Sequence, residues 1–234
     1  MEAIIIAGGL GIRLQPVVKD VPKPMADING MPFLSFLMDY LSRYGVKKVL
    51  LSVGYKHETI KKYFGSKYRN MDIEYVIENN PLGTGGALRE ALRHVQGSEA
   101  IVLNGDSFFN VNVKDLMDFH YLQVSMLTIA VKPMNNIDRY GTIILRNERA
   151  TGFSEKSSGN FGYINGGVYV MKKDIMNHYA REGAFSFETD FLQGNINSIA
   201  VSAFISDGYF IDIGIPEDYE RAQKELKYVL KEVV

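Results

Sequence analysis

The 234-residue sequence predicts an α/β fold, a single domain on one mixed sheet whose first half is parallel and covered by helices on both faces. Three observations support that prediction. Stretches at 3–7 and 100–103 are apolar throughout, and that at 46–53 is apolar but for two lysines and a serine, none showing the polar alternation of a half-exposed strand. Segments with helical periodicity separate them. A glycine cluster, Gly8-Gly9-Leu10-Gly11, follows the first stretch directly, at the strand end where open α/β sheets carry ligands.

The elements follow in order. After the strand at 3–7, Pro32 opens a helix with Leu34, Leu37, Met38 and Leu41 on one face, and Gly45 closes it. The buried strand at 46–53 leads to a short helix at 57–64 and a strand at 73–77. Ala87, Leu88, Ala91, Leu92 and Val95 mark a further helix before the strand at 100–103. The second half has more strand and less helix. Segments 125–132, 141–145, 150–153, 163–171, 199–205 and 209–211 read as strands, and 174–179 and 187–192 as short helices. Pro216 suits the first turn of a last helix with Tyr219, Ala222, Leu226 and Val229 on its apolar side. No linker-like composition separates the halves, so residues 1–234 are expected to form one domain. Residues 1–110 would mainly bind nucleotide and 111–234 mainly its acceptor.

The glycine cluster carries the first chemical signal. Glycine lets a ligand approach the backbone, and successive N–H groups in such a loop can face an anion. Arg13 adds a permanently charged fork suited to phosphate oxygens. Lys23 stands between Pro22 and Pro24, where pre-proline restriction predicts a stiff, extended segment and an aimed side chain. A cradle for a triphosphate accounts for the set; a tight turn alone is the plainer alternative. Leu14 stands where the dinucleotide fingerprint requires its third glycine, and the Gly-Lys-Ser/Thr of a Walker A loop is missing.

Other candidate residues lie further on. Asp106, in Asn104-Gly105-Asp106, follows one apolar strand, and Asp212 follows another. Magnesium takes hard oxygen ligands, commonly one or two carboxylates together with phosphates and water, which two such aspartates would satisfy. Each alone also reads as a turn or cap residue. A second glycine-rich turn includes Gly83 and Thr84 and leads into a helix, so it either approaches a nucleobase or merely connects strand to helix. Tyr140-Gly141-Thr142, Glu155-Lys156 and Asn165-Gly166-Gly167 form a polar set suited to a hydroxylated ligand. The four histidines lack metal-ligand spacing.

Bulk properties exclude several classes. A formal net charge of −1 with no long basic run argues against nucleic acid or a membrane surface as partner. Without cysteine there is no disulfide framework and no thiolate chemistry. No export signal is recognisable, so the cytoplasm is the expected compartment. Self-association into a homo-oligomer stays open.

Residues 8–14 followed by Pro22-Lys23-Pro24 closely resemble the signature of the sugar-phosphate nucleotidylyltransferases. Asn104-Gly105-Asp106, Glu155-Lys156, Asn165-Gly166-Gly167 and Asp212 fall in that family's order, so the resemblance spans essentially the whole chain. Segments 17–26, 81–87 and 185–188 resemble the branch that joins GTP to D-glycero-D-manno-heptose 1-phosphate. The resemblance implies a three-layer α/β sandwich with a largely parallel central sheet, here without the C-terminal β-helix of many members. It implies that an NTP and a sugar 1-phosphate give an NDP-sugar and pyrophosphate, with Mg2+ as cofactor. By the same resemblance, Gly8, Gly9, Leu10 and Gly11 hold the triphosphate, and Gly83 and Thr84 bound the base pocket. Arg13 neutralises the leaving pyrophosphate and Lys23 the reacting phosphate, both as catalytic residues. Asp106 and Asp212 hold the metal, and Gly141, Glu155, Lys156 and Asn165 bind the sugar phosphate. Ile12 departs from the usual Thr or Ser, which removes one hydroxyl from the phosphate loop. Two alternatives are a pyrimidine-triphosphate enzyme for another sugar phosphate and a non-catalytic nucleotide-sugar-binding regulator.

Overall fold

The computed structural model describes residues 1–9, 14, 18, 21–155, 159–177, 179 and 181–229. Strand β1 (Glu2–Ile6) is followed by the short strands β2 (Asp27–Ile28) and β3 (Met31–Pro32) and helix α1 (Phe33–Arg43). Then come β4 (Lys48–Val53), α2 (His57–Phe64), β5 (Lys67–Tyr68), β6 (Met71–Ile77), α3 (Gly83–Arg93) and β7 (Glu99–Asn104). Next are β8 (Ser107–Phe109), α4 (Val113–Leu122), β9 (Leu127–Asn135), β10 (Thr142–Arg146), β11 (Arg149–Ser154) and β12 (Phe161–Lys172). A π-helical segment (Phe187–Leu192) runs into α5 (Gln193–Asn195), and β13 (Val201–Ile205), β14 (Phe210–Asp212) and α6 (Pro216–Val229) complete the chain.

Ten strands form one mixed sheet in the order β10-β11-β13-β9-β12-β7-β1-β4-β6-β5. Strand β1 lies between β4 and β7, parallel to both, with Ile4 opposite Leu50 and Val102. Strand β12 runs antiparallel to β7 on one side and β9 on the other, so it joins the two halves of the chain in one sheet. This is the mixed sheet that the apolar strands predict.

Alternate residues of each central strand feed opposite faces, because side chains on a strand alternate. Ala3, Ile5, Leu51 and Leu103 pack with Leu34, Leu37 and Leu41 of α1. Ile4, Leu50 and Val102 pack on the other face with Leu88, Ala91 and Leu92 of α3. Ile4 and Ile5 are both fully buried, and burial of each such side chain is worth roughly 1.5–3 kcal/mol. Two-sided burial is what removes polar alternation from these strands. Among the described residues, no helix is long and apolar enough to cross a membrane.

The structure differs from the sequence reading at several places: the short strands β2, β3, β5 and β8 were not expected, and two helix readings change. Residues 174–177 form turns and not the beginning of the helix expected at 174–179, of which residue 178 lies outside the described residues. The segment's backbone bonds, Ile175 N to Lys172 O, Asn177 N to Asp174 O and Tyr179 N to Met176 O, each span three residues and close successive turns. Helix α4 was not anticipated, although Asn112 caps it by accepting from the N–H groups of Lys114 (3.0 Å) and Asp115 (3.3 Å). Its buried face is short, only Val113, Leu116 and His120, which weakens the periodic signal.

His120 is 1% exposed, its Nδ1 lies 2.8 Å from Thr128 Oγ1, and Nε2 has no hydrogen-bond partner among the described residues. Burial holds its pKa below the ordinary value, with Lys172 also lowering it and Glu99 opposing. The unfolded chain therefore takes up this proton first as pH falls through about 6.5, so stability present above that pH is lost below it. Melting temperature should fall between pH 7 and pH 5.5, and His120→Gln should flatten the slope. An identical slope in the variant would remove His120 as its source.

Candidate active site

The centre of the site is a lysine between two acids. Lys23 opens a single 3-10 turn, Lys23–Met25, rather than the extended segment its flanking prolines suggest. The turn closes through Met25 N to Pro22 O (2.7 Å) and Ala26 N to Lys23 O (3.0 Å), bonds that outweigh the pre-proline preference. Lys23 is only 9% exposed. Its Nζ donates to Asp106 Oδ2 at 2.7 Å and lies 3.5 Å from Asp212 Oδ1.

Strand pairing brings the two aspartates together. Asp106 follows β7, and Gly105 N donates to Ile6 O at 2.8 Å, which ties that corner to the end of β1. Strand β14 pairs antiparallel with β8, setting Asp212 opposite Ser107, and Ile213 N donates to Asp106 O at 3.0 Å. Gly214 N donates to Asp212 Oδ1 at 2.7 Å and holds that carboxylate in place. Lys23, Asp106 and Asp212 thus converge although the two aspartates lie 83 and 189 positions further along the chain than the lysine.

A cavity of about 550 Å³ lies beside the end of β1, lined by Gly8, Gly9, Tyr55, Glu78, Gly83 and Thr84 among others. Four of these six were expected at a nucleotide site. Leu10, Gly11 and Arg13, expected with them, lie outside the described residues, as does Ile12. Tyr55 and Glu78 were not anticipated. Glu78 follows β6 and accepts from Leu82 N at 3.0 Å, and burial raises its pKa while that bond and the Ser52 hydroxyl lower it. A carboxylate just past a parallel strand was the available signal.

The second glycine-rich turn serves packing as well as the cavity. Gly83 has φ +68°, and a Cβ there would meet Phe185 O at 2.5 Å. Gly85 N donates to that same carbonyl at 2.9 Å, so segment 185–187 is laced to the start of α3.

A second cavity, about 220 Å³, is lined by Asp106, Asp212, Gly141, Glu155, Asn165 and Glu188, with Arg139 also on its wall. Three of the four residues expected on the sugar side, Gly141, Glu155 and Asn165, line it; the fourth, Lys156, lies outside the described residues. Gly141 O is taken by Asn165 N at 2.8 Å. Asn165 sits at a register irregularity between β12 and β9, its Nδ2 donating to Tyr169 Oη at 2.7 Å and its Oδ1 accepting from Gly167 N at 3.1 Å. Gly167 makes the irregularity with φ +69°, and a Cβ would crowd Ser107 Oγ at 2.7 Å. Arg139 was missed; Asp218 of α6, 5% exposed, accepts from its Nη2 at 2.9 Å. Among the described residues no group of three or more acids and histidines is placed to hold a metal, so Asp106 and Asp212 stand as a pair.

The chain matches the profile of the nucleotidyl transferase family over residues 2–228. It is 47% identical over 230 residues to the D-glycero-alpha-D-manno-heptose 1-phosphate guanylyltransferase of Aneurinibacillus thermoaerophilus, covering 98% of this chain and 100% of that one. The protein of the same name from Campylobacter jejuni is 49% identical over 220 residues, covering 94% and 97%. Among solved structures, HddC from Yersinia pseudotuberculosis superposes with a TM-score of 0.87 at 38% identity, covering 96% of this chain and 98% of that one. The same protein complexed with GMP-PN gives 0.84. The full-length match and these identities establish that this chain belongs to the nucleotidyl transferase family.

Proposed function

We propose that the chain is a sugar-1-phosphate guanylyltransferase that converts GTP and D-glycero-D-manno-heptose 1-phosphate to GDP-heptose and pyrophosphate. The observation that carries this reading is the Lys23–Asp106–Asp212 cluster beside the two cavities. The names of the relatives and the GMP-PN complex of HddC support guanine and the heptose. We read residues 1–234 as one three-layer domain, with the nucleotide held mainly by 1–110 and the sugar phosphate mainly by 111–234.

In this reading an oxygen of the sugar phosphate attacks the α-phosphorus of GTP. A P–O bond forms there, the bond to the bridging oxygen breaks, and pyrophosphate leaves with its electron pair. No covalent enzyme intermediate is required, so positioning and charge stabilisation account for the rate. The Gly8-Gly9 backbone, with Leu10, Gly11 and Arg13, holds the triphosphate; Gly83 and Thr84 bound the base. Lys23 neutralises charge at the reacting phosphates. Arg139, braced by Asp218, offers a cation at the sugar-phosphate cavity together with Lys156. Gly141, Glu155 and Asn165 meet the sugar.

The donor set fits magnesium. Two carboxylates already share one cation, the Lys23 ammonium, and both side chains are part exposed, 42% for Asp106 and 32% for Asp212. With phosphate oxygens and water they make the hard-oxygen shell that magnesium takes. Bound there, the ion would supply positive charge to phosphate oxygens of both reactants.

Glu78 supports guanine over the other bases. A carboxylate only accepts hydrogen bonds, and guanine presents adjacent N1–H and N2–H donors to one acceptor. With the four common NTPs and a set of sugar 1-phosphates, pyrophosphate release should be fastest with GTP and the heptose phosphate. ITP, which lacks the N2 amino group, should be poorer by about tenfold, a gap that Glu78→Gln narrows. Turnover confined to pyrimidine triphosphates would overturn the guanine assignment; nucleotide-sugar binding without turnover would favour a regulator.

Lys23→Ala and Asp106→Asn should each lower kcat at least about 100-fold, as expected for loss of a charge-stabilising group. Chelation should abolish turnover and added magnesium restore it. Near-normal rates in either variant would remove the role given to that residue.

A further inference from the structure

The wall between the two cavities holds a carboxylate that the proposed mechanism leaves unused. Glu188 faces the sugar-side cavity from the start of the π-helical segment. Its Oε2 accepts from Thr84 Oγ1 at 2.9 Å and from Ser186 Oγ at 3.3 Å. Thr84 itself lines the nucleotide cavity, so one hydrogen bond spans the wall.

Three features set Glu188 apart from an ordinary surface acid. Among the described residues it makes no ion pair, and no other side chain donates to it. Burial raises its pKa from the ordinary value, with Asp106 adding to the rise, while its own backbone N–H, Thr84 and Ser186 oppose it. A carboxylate partly withdrawn from water, with no cation partner among the described residues, lowers stability. Its backbone is also rigidly set. Phe187 N donates to Thr84 Oγ1 at 2.9 Å, Ser186 N to Asp190 Oδ2 at 2.8 Å, and Thr189 N to Ser186 Oγ at 3.2 Å. The Phe187 and Phe191 rings stack with centroids 5.8 Å apart. Irregular helical turns of this kind recur where a side chain must be aimed.

We propose that Glu188 reads the sugar: it accepts a hydrogen bond from a hydroxyl of the bound sugar 1-phosphate, and Thr84 holds it in register with the nucleotide cavity. The assignment rests on the transferase reading above. An ionised carboxylate suits this task, because a site built to bind a hydroxyl strongly rejects an analogue that lacks it. Glu155 and Asn165 face the same cavity, so the ligand meets acceptors on more than one side. Asp106 lines that same cavity and accepts from Lys23, so the cavity that Glu188 faces adjoins the charged cluster.

Glu188→Gln tests this. Glutamine's carbonyl still accepts from Thr84 and Ser186, so a purely structural role survives the change. The proposal expects the KM for the heptose 1-phosphate to rise about tenfold while the KM for GTP changes less than about twofold. Wild-type protein should also discriminate against one mono-deoxy derivative of the sugar phosphate, and the variant should lose much of that discrimination. Thermal unfolding of Glu188→Gln at neutral pH should be no lower than wild type, since an unpaired carboxylate has been removed. Glu188→Met, close in shape and without an acceptor, should exaggerate the sugar effect. A variant that keeps the wild-type sugar KM and deoxy-sugar discrimination overturns this proposal and leaves the transferase reading intact. Absence of turnover in wild-type protein with every NTP and sugar phosphate overturns the transferase reading instead.

Discussion

One buried ammonium organises the site. Lys23 sits at 9% exposure with carboxylates at 2.7 and 3.5 Å. A lysine so placed is tolerated only because opposite charge offsets the loss of hydration. The two acids in turn would repel each other without it. Each of the three therefore depends on the other two, and their meeting constrains three remote parts of the backbone: the turn after Pro22, the corner after β7, and the strand before α6.

That convergence depends on sheet topology. Parallel packing of β1 against β4 and β7 aligns the strand ends, so the glycine turn and Asp106 emerge on one edge. The small β8–β14 ribbon then returns the far end of the chain to that edge. Helix α6 contributes through Asp218, which fixes Arg139 on the second cavity's wall. The last secondary elements thus complete a site begun by the first.

A hydrogen-bonded wall stands between the cavities. Segment 185–188 is laced to the first turn of α3 through Gly85 N, Phe187 N and the Thr84–Glu188 bond. Close approach there needs Gly83 at φ +68°, a backbone state that side chains disfavour.

By itself the sequence determined the mixed sheet, the order of its main elements and the placing of Gly8, Asp106 and Asp212 just past or at the ends of β1, β7 and β14. Those depend on local signals: unalternated apolar strands buried on both faces, glycine punctuation, and acids just past strand ends. Local signals also misled. Isolated apolar residues at 174–179 suggested a helix where three-residue turns close, and the short buried face of α4 left that helix unread. Proline restriction suggested an extended Lys23 where a 3-10 turn forms. Only the tertiary structure decided that Lys23 lies between Asp106 and Asp212, that Glu78 faces one cavity and that Glu188 and Arg139 face the other. The reason is physical: strand pairing across more than a hundred residues, such as Asp212 opposite Ser107, leaves no mark in the spacing of either segment.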